Sequence, residues 1–292
     1  MNKKVAIFSH DNSHDHGFYN KIHGLMKVAK KRGLDYTYID HAEDGCKYDV
    51  TINWDPFSDL AEGKKLTIVW EWDTYRIGKA ADLANRKFHL LFRAHATFYR
   101  GHGIDPRLVP TYWMPPAVDP DVFKRDKEIE PEYDVVFVGT ARAFPEFDIL
   151  RNNFKTLVHE QKMGYPQYIE TLNKGRLVLN APVAHETNKR VMEAMAIGPA
   201  LMSWGSDYTL LATPGEDFVC YKSMYGAAKE TDQYQVDLNN YEKYLVEHVR
   251  SYLDNPKLLQ RIQKSGRHLV MKQFTFDKQL DRIEEIIRHH MQ

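Results

Sequence analysis

The segment from Arg176 to Gly205, RLVLNAPVAHETNKRVMEAMAIGPALMSWG, constrains the fold of this chain most strongly. It predicts a buried strand (Leu177–Asn180), a polar loop, a helix, a Gly-Pro stop and a second strand (Ala200–Trp204). Two strands joined through a helix predict a parallel sheet. The loop after Asn180 then lies at the carboxyl edge of that sheet, where open α/β sheets bind ligands.

The predicted helix carries an unusual stripe of residues. One face holds four residues at spacings i, i+4, i+7 and i+11, namely Glu186, Arg190, Glu193 and Ile197. The opposite side, expected to pack on the sheet, holds Val191, Met192, Met195 and Ala196. The free N–H groups and positive dipole end at the helix N-terminus suit a phosphate. By spacing alone the stripe is either a surface ladder of ion pairs or part of a ligand site.

Bulk composition places the chain among globular proteins and excludes several classes. Of its 292 residues, 43% are hydrophobic and 27% are charged, and 40 basic residues balance 40 acidic ones. This neutrality argues against a protein whose main work is gripping a nucleic-acid backbone. The two cysteines, Cys46 and Cys220, imply no disulfide framework. We expect a cytoplasmic protein, because we find neither a signal peptide nor the roughly 20 apolar residues of a membrane span.

Strand and helix patterns alternate along the chain and predict two α/β domains. A charged stretch, Lys124 to Glu132, interrupts the alternation and is predicted to be an interdomain linker. The predicted segments are a first Rossmann-like domain over 1–127, a second over 128–275 and a final helix over 276–292. That helix carries its apolar residues, Leu280, Ile283, Ile286 and Ile287, on one side.

These residues resemble the donor-binding signature of the GT-B glycosyltransferases. The segment is most similar to the "glycosyl transferases group 1" type and its CgeB-like branch, in which a strand ending in Asn precedes N-x-R-x-x-E-x-x-A-x-G. The matching residues are Asn180, Asn188, Arg190, Glu193, Ala196 and Gly198. Three flanking segments resemble the same branch: MPPAVDPDVF (Met114–Phe123), VVFVGT (Val135–Thr140) and GRHLVMKQFTFDKQLDRI (Gly266–Ile283). The resemblance covers most of residues 66–285.

The resemblance implies a GT-B fold, with parallel sheets of two Rossmann-like domains facing a cleft. The first domain is expected on the acceptor side and the second on the donor side, with the final helix crossing back to the first. The implied reaction moves a sugar from a nucleotide-diphosphate sugar with retention, and it needs no metal or other cofactor. The acceptor stays open among polysaccharide, small molecule, protein and modified nucleic acid.

Specific donor contacts follow from the resemblance and from the chemistry of the donor. Glu193 is expected to accept hydrogen bonds from the ribose diol, and Arg190 and Arg142 to bind the diphosphate through their guanidinium forks. The remaining positions expected around the donor are Gly139, Thr140, Asn180, His185 and Asn188. His185 occupies the place of the first glutamate in the pair of glutamates that many relatives carry.

Two further segments hold candidate catalytic residues. The loop HDNSHDHG (His10–Gly17) follows the first strand, and its His14 or His16 is expected to hydrogen-bond the sugar or its phosphate. Asp73 follows a predicted strand and either orients the acceptor hydroxyl, acts as its base, or caps the next helix. Two alternatives stay open: a metal-dependent hydrolase that uses the His10–His16 loop, and a non-catalytic binding protein with a degenerate GT-B fold.

Overall fold

The computed structural model describes residues 3–9, 16–54, 60–71, 88–94, 109–139, 145–160, 163–180, 188–203, 207–222 and 232–292. Its contacts divide the chain into two compact units. Unit 1 comprises Met1–Asp119 and Gln273–Gln292, and unit 2 comprises Pro120–Lys272. The sequence predicts the boundaries between domains after residues 127 and 275.

Within the described residues, the strands are β1 (Val5–Phe8), β2 (Tyr36–Ile39), β3 (Val50–Trp54), β4 (Leu66–Glu71), β5 (Leu90–Arg93), β6 (Thr111–Trp113), β7 (Tyr133–Val138), β8 (Thr156–His159), β9 (Gly175–Asn180), β10 (Ala200–Ser203) and β11 (Val219–Cys220). The α-helices are α1 (His16–Lys31), α2 (Pro145–Asn153), α3 (Tyr165–Asn173), α4 (Lys189–Ile197), α5 (Asp232–Leu253), α6 (Pro256–Gln273) and α7 (Phe276–His290). Two short 3-10 helices cover Ala42–Lys47 and Asp207–Leu210.

Unit 1 is a parallel sheet in the order β2-β1-β3-β4-β5-β6. Its strands β1, β3, β4 and β5 are buried along their whole length, as parallel strands covered on both faces are expected to be. Helices α1 and α7 pack on this sheet and contribute Ile22, Leu25, Leu280 and Ile283 to its core. The two helices approach closely at Gly24, where a side chain would collide with the Phe276 ring. The apolar side predicted for α7 is therefore confirmed as a core face.

Unit 2 is a second parallel sheet, in the order β11-β10-β9-β7-β8. Counted from the first strand of the unit, the order is 2-1-3-4-5, which is a doubly wound topology. The chain reverses its direction of winding between β7 and β9, whose register pairs Val135 with Leu177. That switch point is the ligand-binding position of such sheets. The predicted α/β class with two parallel sheets is confirmed.

The helix between β9 and β10 differs from its predicted amphipathic form. Helix α4 begins at Lys189, so Glu186 lies before it and outside the described residues, and every residue from Val191 to Ile197 is buried. Helix α6 contributes to this burial, because the Arg267 guanidinium donates to the Ala196 carbonyl. Glu193 retains only 3% exposure. This burial excludes the surface ladder, which was one of the two alternatives left open by the spacing, because Glu193 lies in the interior.

The charged stretch from Lys124 to Glu132 is held against unit 2. The Arg125 guanidinium donates to the Asn173 carbonyl at 2.7 Å, and the Asp126 N–H donates to the Asn173 side chain at 3.0 Å. The stretch has almost no core-forming side chains, but its backbone and cations bond to the end of α3. The composition of this stretch predicts an interdomain linker, whereas in the structure the stretch is an ordered edge of unit 2.

Candidate functional site

Three elements of unit 2 bring polar residues to the switch point. Strand β7 ends just before Gly139, β9 ends at Asn180, and α4 begins after Asn188. Because β7 and β9 are parallel neighbours, their carboxyl ends meet at one edge of the sheet. The predicted residues Gly139, Asn180, Asn188 and Arg190 all belong to these three ends.

The Arg190 side chain packs between the ends of the two strands. Its guanidinium carbon lies 4.7 Å from the centroid of the Phe137 ring, a cation–π contact. Its Nη1 lies 3.5 Å from Asn180 Oδ1, at the long limit of a hydrogen bond. These contacts direct the arginine toward the switch point and leave much of its hydrogen-bonding capacity unused.

Gly139 makes room for this arginine. Its φ of +146° is a conformation that L side chains rarely adopt, and a Cβ here would collide with Arg190 Nη2. The Gly139 N–H donates to the His159 carbonyl at 3.0 Å. Gly139 therefore contributes space at the site, and its N–H is already bonded within the sheet.

The N-terminus of α4 is not closed by its own cap. Asn188 has the extended backbone of an N-cap (φ −76°, ψ 161°), but its side chain makes no capping hydrogen bond. By contrast, Thr275 before α7 accepts a hydrogen bond from the Lys278 N–H. The N-terminus of α4 therefore places the positive end of the helix dipole at the edge where Arg190 lies.

Glu193 is a buried carboxylate with two neighbours. The Tyr168 hydroxyl of α3 donates to its Oε2 at 2.8 Å, and Lys189 Nζ lies 2.7 Å from its Oε1. The lysine contact is an ion pair without hydrogen-bond alignment, since Oε1 has no aligned donor. Lys189 also donates to the Tyr165 hydroxyl. Burial of the two opposite charges together keeps the cost of their desolvation tolerable.

The environment of Glu193 also acts on Tyr168. Burial, the Glu193 carboxylate and the hydrogen bond to it raise the pKa of the Tyr168 hydroxyl well above 10, and the Arg190 cation opposes this shift. Tyr168 therefore remains a protonated hydrogen-bond donor throughout the physiological pH range.

Several buried polar atoms at this edge lack an aligned hydrogen bond. They are Asn180 Nδ2, Asn188 Oδ1, Arg190 Nε and Glu193 Oε1. Native interiors satisfy nearly all such atoms, so a cluster within two adjacent elements indicates an absent partner. The set contains two donors and two acceptors, which suits a ligand that carries both hydroxyl groups and anionic oxygens.

A family comparison decides the kind of protein. The sequence profile described as "Glycosyl transferase-like" matches residues 122–285, more than half of the chain. The chain belongs to that family. It is a glycosyltransferase, an enzyme of the class that transfers sugar residues. A search of curated proteins found none that matches the sequence of this chain.

Solved structures show the fold of the glycosyltransferase. HepE from Anabaena in complex with UDP-glucose aligns with a TM-score of 0.69 at 10% identity, over 98% of this chain and 100% of that one. An alpha-glucosyltransferase in complex with UDP and a 13-mer DNA containing an HMU base gives 0.68 at 11% identity, over 99% and 100%. Sucrose-phosphate synthase from Thermosynechococcus elongatus gives 0.65 at 10% identity, over 98% of each chain. At such identities the similarity shows the fold alone, and that fold is GT-B.

Several predicted site residues of the glycosyltransferase lie outside the described residues. They are His14, Asp73, Thr140, Arg142 and His185. His16 is the first residue of α1, so the loop predicted to run to Gly17 ends earlier, and only the backbone of His16 is described. Within the described ranges, no group of three or more His, Cys, Asp or Glu side chains could hold a metal ion. The rest of the His10–His16 loop falls outside those ranges.

Two residues of the site were missed in the sequence. Lys189 stands four positions before Glu193, a spacing at which ion pairs form on helices, so it could have been found. Tyr168 belongs to a different helix, 25 positions away, and no local pattern links it to Glu193. Only the packing of α3 beside α4 shows that contact.

The described residues also line two cavities away from this edge. One, of about 350 Å³, lies in unit 1 near the starts of β1 and β2 and is lined by Lys3, Tyr36 and Glu284 among others. The other, of about 490 Å³, lies in unit 2 beside Arg176 near the start of β9. Both lie at amino ends of strands, so neither belongs to the switch-point site. Among the described helices, none is long and apolar enough to span a membrane.

Proposed function

We propose that the switch-point edge of unit 2 binds a nucleotide-diphosphate sugar, from which the enzyme transfers the sugar to an acceptor. The observation that carries this proposal is the cluster of buried polar atoms without aligned hydrogen bonds at Asn180, Asn188, Arg190 and Glu193. Two structures that share the fold are complexes with UDP or UDP-glucose, which supports a nucleotide ligand and makes UDP the first probe.

Each group has a distinct task in this proposal. Glu193 Oε1 accepts a hydrogen bond from a ribose hydroxyl, and Asn188 binds near the diphosphate or the sugar. Arg190 and the open N-terminus of α4 face the diphosphate oxygens. When the bond from the anomeric carbon to the diphosphate breaks, the leaving group gains negative charge, which these cationic and N–H groups stabilise.

The remaining roles follow from the resemblance to the CgeB-like branch, except that of the histidines, which rests on the position of their polar loop after the first strand. Thr140 and Arg142 complete the turn around the diphosphate, and His185 faces the donor sugar. Unit 1 supplies the acceptor side, where Asp73 orients or deprotonates the attacking hydroxyl and His14 or His16 contacts the sugar. The acceptor oxygen takes the place of the diphosphate on the anomeric carbon, its proton passes to Asp73 or to the departing diphosphate, and the product retains the configuration of the donor. Protein cations perform the task that a metal ion has in other glycosyltransferases, so no metal is required.

A thermal-shift experiment tests the donor site. The purified protein is melted with UDP, GDP and ADP and with their glucose conjugates, each with and without EDTA. A ligand that binds the native state at about 100 times its Kd adds about 2.7 kcal/mol of stability and raises Tm by several degrees. We expect such a rise for one nucleotide family and no effect of EDTA on it.

Two variants connect the shift to the site. Glu193→Gln preserves the shape of the side chain but removes its charge, and Arg190→Gln removes the guanidinium fork. Each is expected to weaken nucleotide binding by about 10- to 100-fold, since hydrogen bonds to charged groups contribute about 1.5–3 kcal/mol. A Glu193→Ala variant is less suitable, because it also leaves a cavity and removes the acceptor of the Tyr168 hydroxyl.

Other outcomes favour the alternatives. A flat response to all nucleotides, together with a large fall of Tm in EDTA, would replace the proposal with a metal enzyme built on the His10–His16 loop. Nucleotide binding without any hydrolysis of the sugar conjugate, in the absence or presence of acceptors, would indicate a non-catalytic GT-B protein.

A further inference from the structure

We propose that Tyr168 is a positioning residue of the donor site, which holds the Glu193 carboxylate so that Oε1 accepts the ribose 2′-hydroxyl. This inference rests on the proposed function and adds to it a residue outside the family signature. Tyr168 is located on α3, whereas the signature runs from the end of β9 through α4.

The argument begins with the freedom of a carboxylate. A glutamate side chain turns about its last bond unless its oxygens are held, and this torsion has only broad preferences. Here the Tyr168 hydroxyl bonds to Oε2 at 2.8 Å. That directed bond limits rotation of the carboxylate and leaves Oε1 as the oxygen without an aligned donor.

Lys189 supports the charge of the carboxylate without taking the free position. Its ammonium lies 2.7 Å from Oε1 but makes no aligned hydrogen bond to it. The ammonium also lies 4.7 Å from the centroid of the Tyr165 ring and donates to the Tyr165 hydroxyl. Lys189 therefore provides the counter-charge, while the lone pairs of Oε1 stay available for a hydroxyl donor.

The tyrosine hydroxyl suits this task over a wide pH range. Tyr168 donates to Oε2 and remains protonated, because burial and the Glu193 carboxylate raise its pKa well above 10. A charged donor at the same place would add a further cation to Lys189 and Arg190. A neutral hydroxyl holds the carboxylate without adding positive charge to this cluster.

Helix α3 offers a matched control for the test. Tyr165→Phe and Tyr168→Phe each remove one hydroxyl from the first turns of the same helix. Only Tyr168 bonds to Glu193, whereas Tyr165 bonds to Lys189. Tyr168 also interacts with Arg190, so the readout must be specific to the ribose hydroxyl and not to nucleotide affinity as a whole.

The readout is the preference for ribose over 2′-deoxyribose. Dissociation constants are measured by calorimetry for the pairs UDP and dUDP, GDP and dGDP, and ADP and dADP. We expect the wild-type protein to bind the ribose form of its nucleotide at least about 10-fold more tightly, as a hydrogen bond to a charged acceptor implies. In Tyr168→Phe this ratio should fall to about threefold or less, with the affinity for the deoxy form preserved.

The outcomes separate the inference from the function on which it rests. Absence of nucleotide binding by the wild-type protein, or an unchanged ratio in Glu193→Gln, contradicts the proposed donor site and the inference with it. A collapsed ratio in Glu193→Gln with a wild-type ratio in Tyr168→Phe overturns the inference alone. Tyr165→Phe should retain the wild-type ratio, and an equal loss in both tyrosine variants also overturns it. If Tyr168→Phe is unfolded at 25 °C, the ratios of all variants are measured at about 10–15 °C, where folded proteins are usually most stable.

Discussion

Two buried asparagines, one in each unit, occupy equivalent strands and differ in how they are bonded. Asn53 lies near the end of β3 and Asn180 at the end of β9, each the third strand of its unit and next to the first. Both are fully buried. Asn53 donates to the carbonyls of Ala61 and Ile68 at 3.1 Å and accepts from the Ala61 N–H at 2.7 Å.

Asn180 has no comparable set of partners. Its Nδ2 makes no hydrogen bond, and its Oδ1 has only the long contact to Arg190. The same residue type at the same place in the topology thus fixes a loop in unit 1 and leaves hydrogen-bonding capacity open in unit 2. A buried amide without an internal partner costs free energy, and the donor site that we propose would supply the missing partner.

The largest effect on stability is expected at Asn53. Asn53→Ala removes three buried hydrogen bonds and leaves the Ala61 N–H without this acceptor, so the free energy of unfolding should fall by about 3 kcal/mol. Asn180→Ala removes a poorly satisfied amide and should cost less than about 1 kcal/mol, while it weakens nucleotide binding. Urea unfolding and calorimetry measure both. Equal losses of stability in the two variants would contradict the comparison.

The next effect concerns the space that Gly139 gives to Arg190. Gly139→Ala places a methyl group against the guanidinium at a φ of +146°, so it should displace Arg190 and weaken nucleotide binding by about 10-fold or more. Gly215 in the same unit has a φ of +81° and open space around its Cβ position. Gly215→Ala should therefore cost about 1–2 kcal/mol of backbone strain and leave nucleotide affinity unchanged. Normal nucleotide binding by Gly139→Ala would show that Arg190 does not belong to the donor site.

The smallest expected effect is a change of stability at alkaline pH, and it concerns one buried tyrosine in each unit. Burial, together with Glu284 for Tyr36 and Glu193 for Tyr168, raises the pKa of each hydroxyl well above 10. Above pH 10 the unfolded tyrosines ionise while the folded ones keep their protons, so the free energy of unfolding falls as pH rises. The slope is about 1.4 kcal/mol per pH unit for each tyrosine. Urea unfolding at pH 9, 10 and 11 should show a shallower fall in Tyr36→Phe and in Tyr168→Phe than in the wild type. A slope unchanged by either substitution would show that the tyrosine concerned titrates normally.

Much of the fold could be predicted from the sequence because its signals are local. The sequence predicts a strand over Leu177–Asn180 and a final helix over 276–292, and the structure has β9 over Gly175–Asn180 and α7 over Phe276–His290. In the sequence the helical spacing becomes clear only from about Asn240 onward, whereas α5 begins at Asp232, because its first turns contain few apolar residues to show the helical period.

The site was predictable only where its residues are close in the chain. Asn180, Asn188, Arg190 and Glu193 fall within one strand–loop–helix segment, and their spacing indicated a shared edge. The burial of Glu193 was not predictable, since it depends on how α3 and α6 pack around α4. The strand pattern alone could not distinguish Asn53 from Asn180, because both lie at or near the end of a buried strand. Only tertiary contacts decide whether the side-chain amide has hydrogen-bond partners.

The position of α7 has a consequence for the order in which the protein folds. Its side chains Phe276, Leu280, Ile283, Ile286 and Ile287 belong to the core of unit 1. During synthesis these residues leave the ribosome after the whole of unit 2, so unit 2 can complete its core while unit 1 still lacks part of its own. The nascent first unit, although it is translated earlier, must keep an apolar groove uncovered until the second has been made.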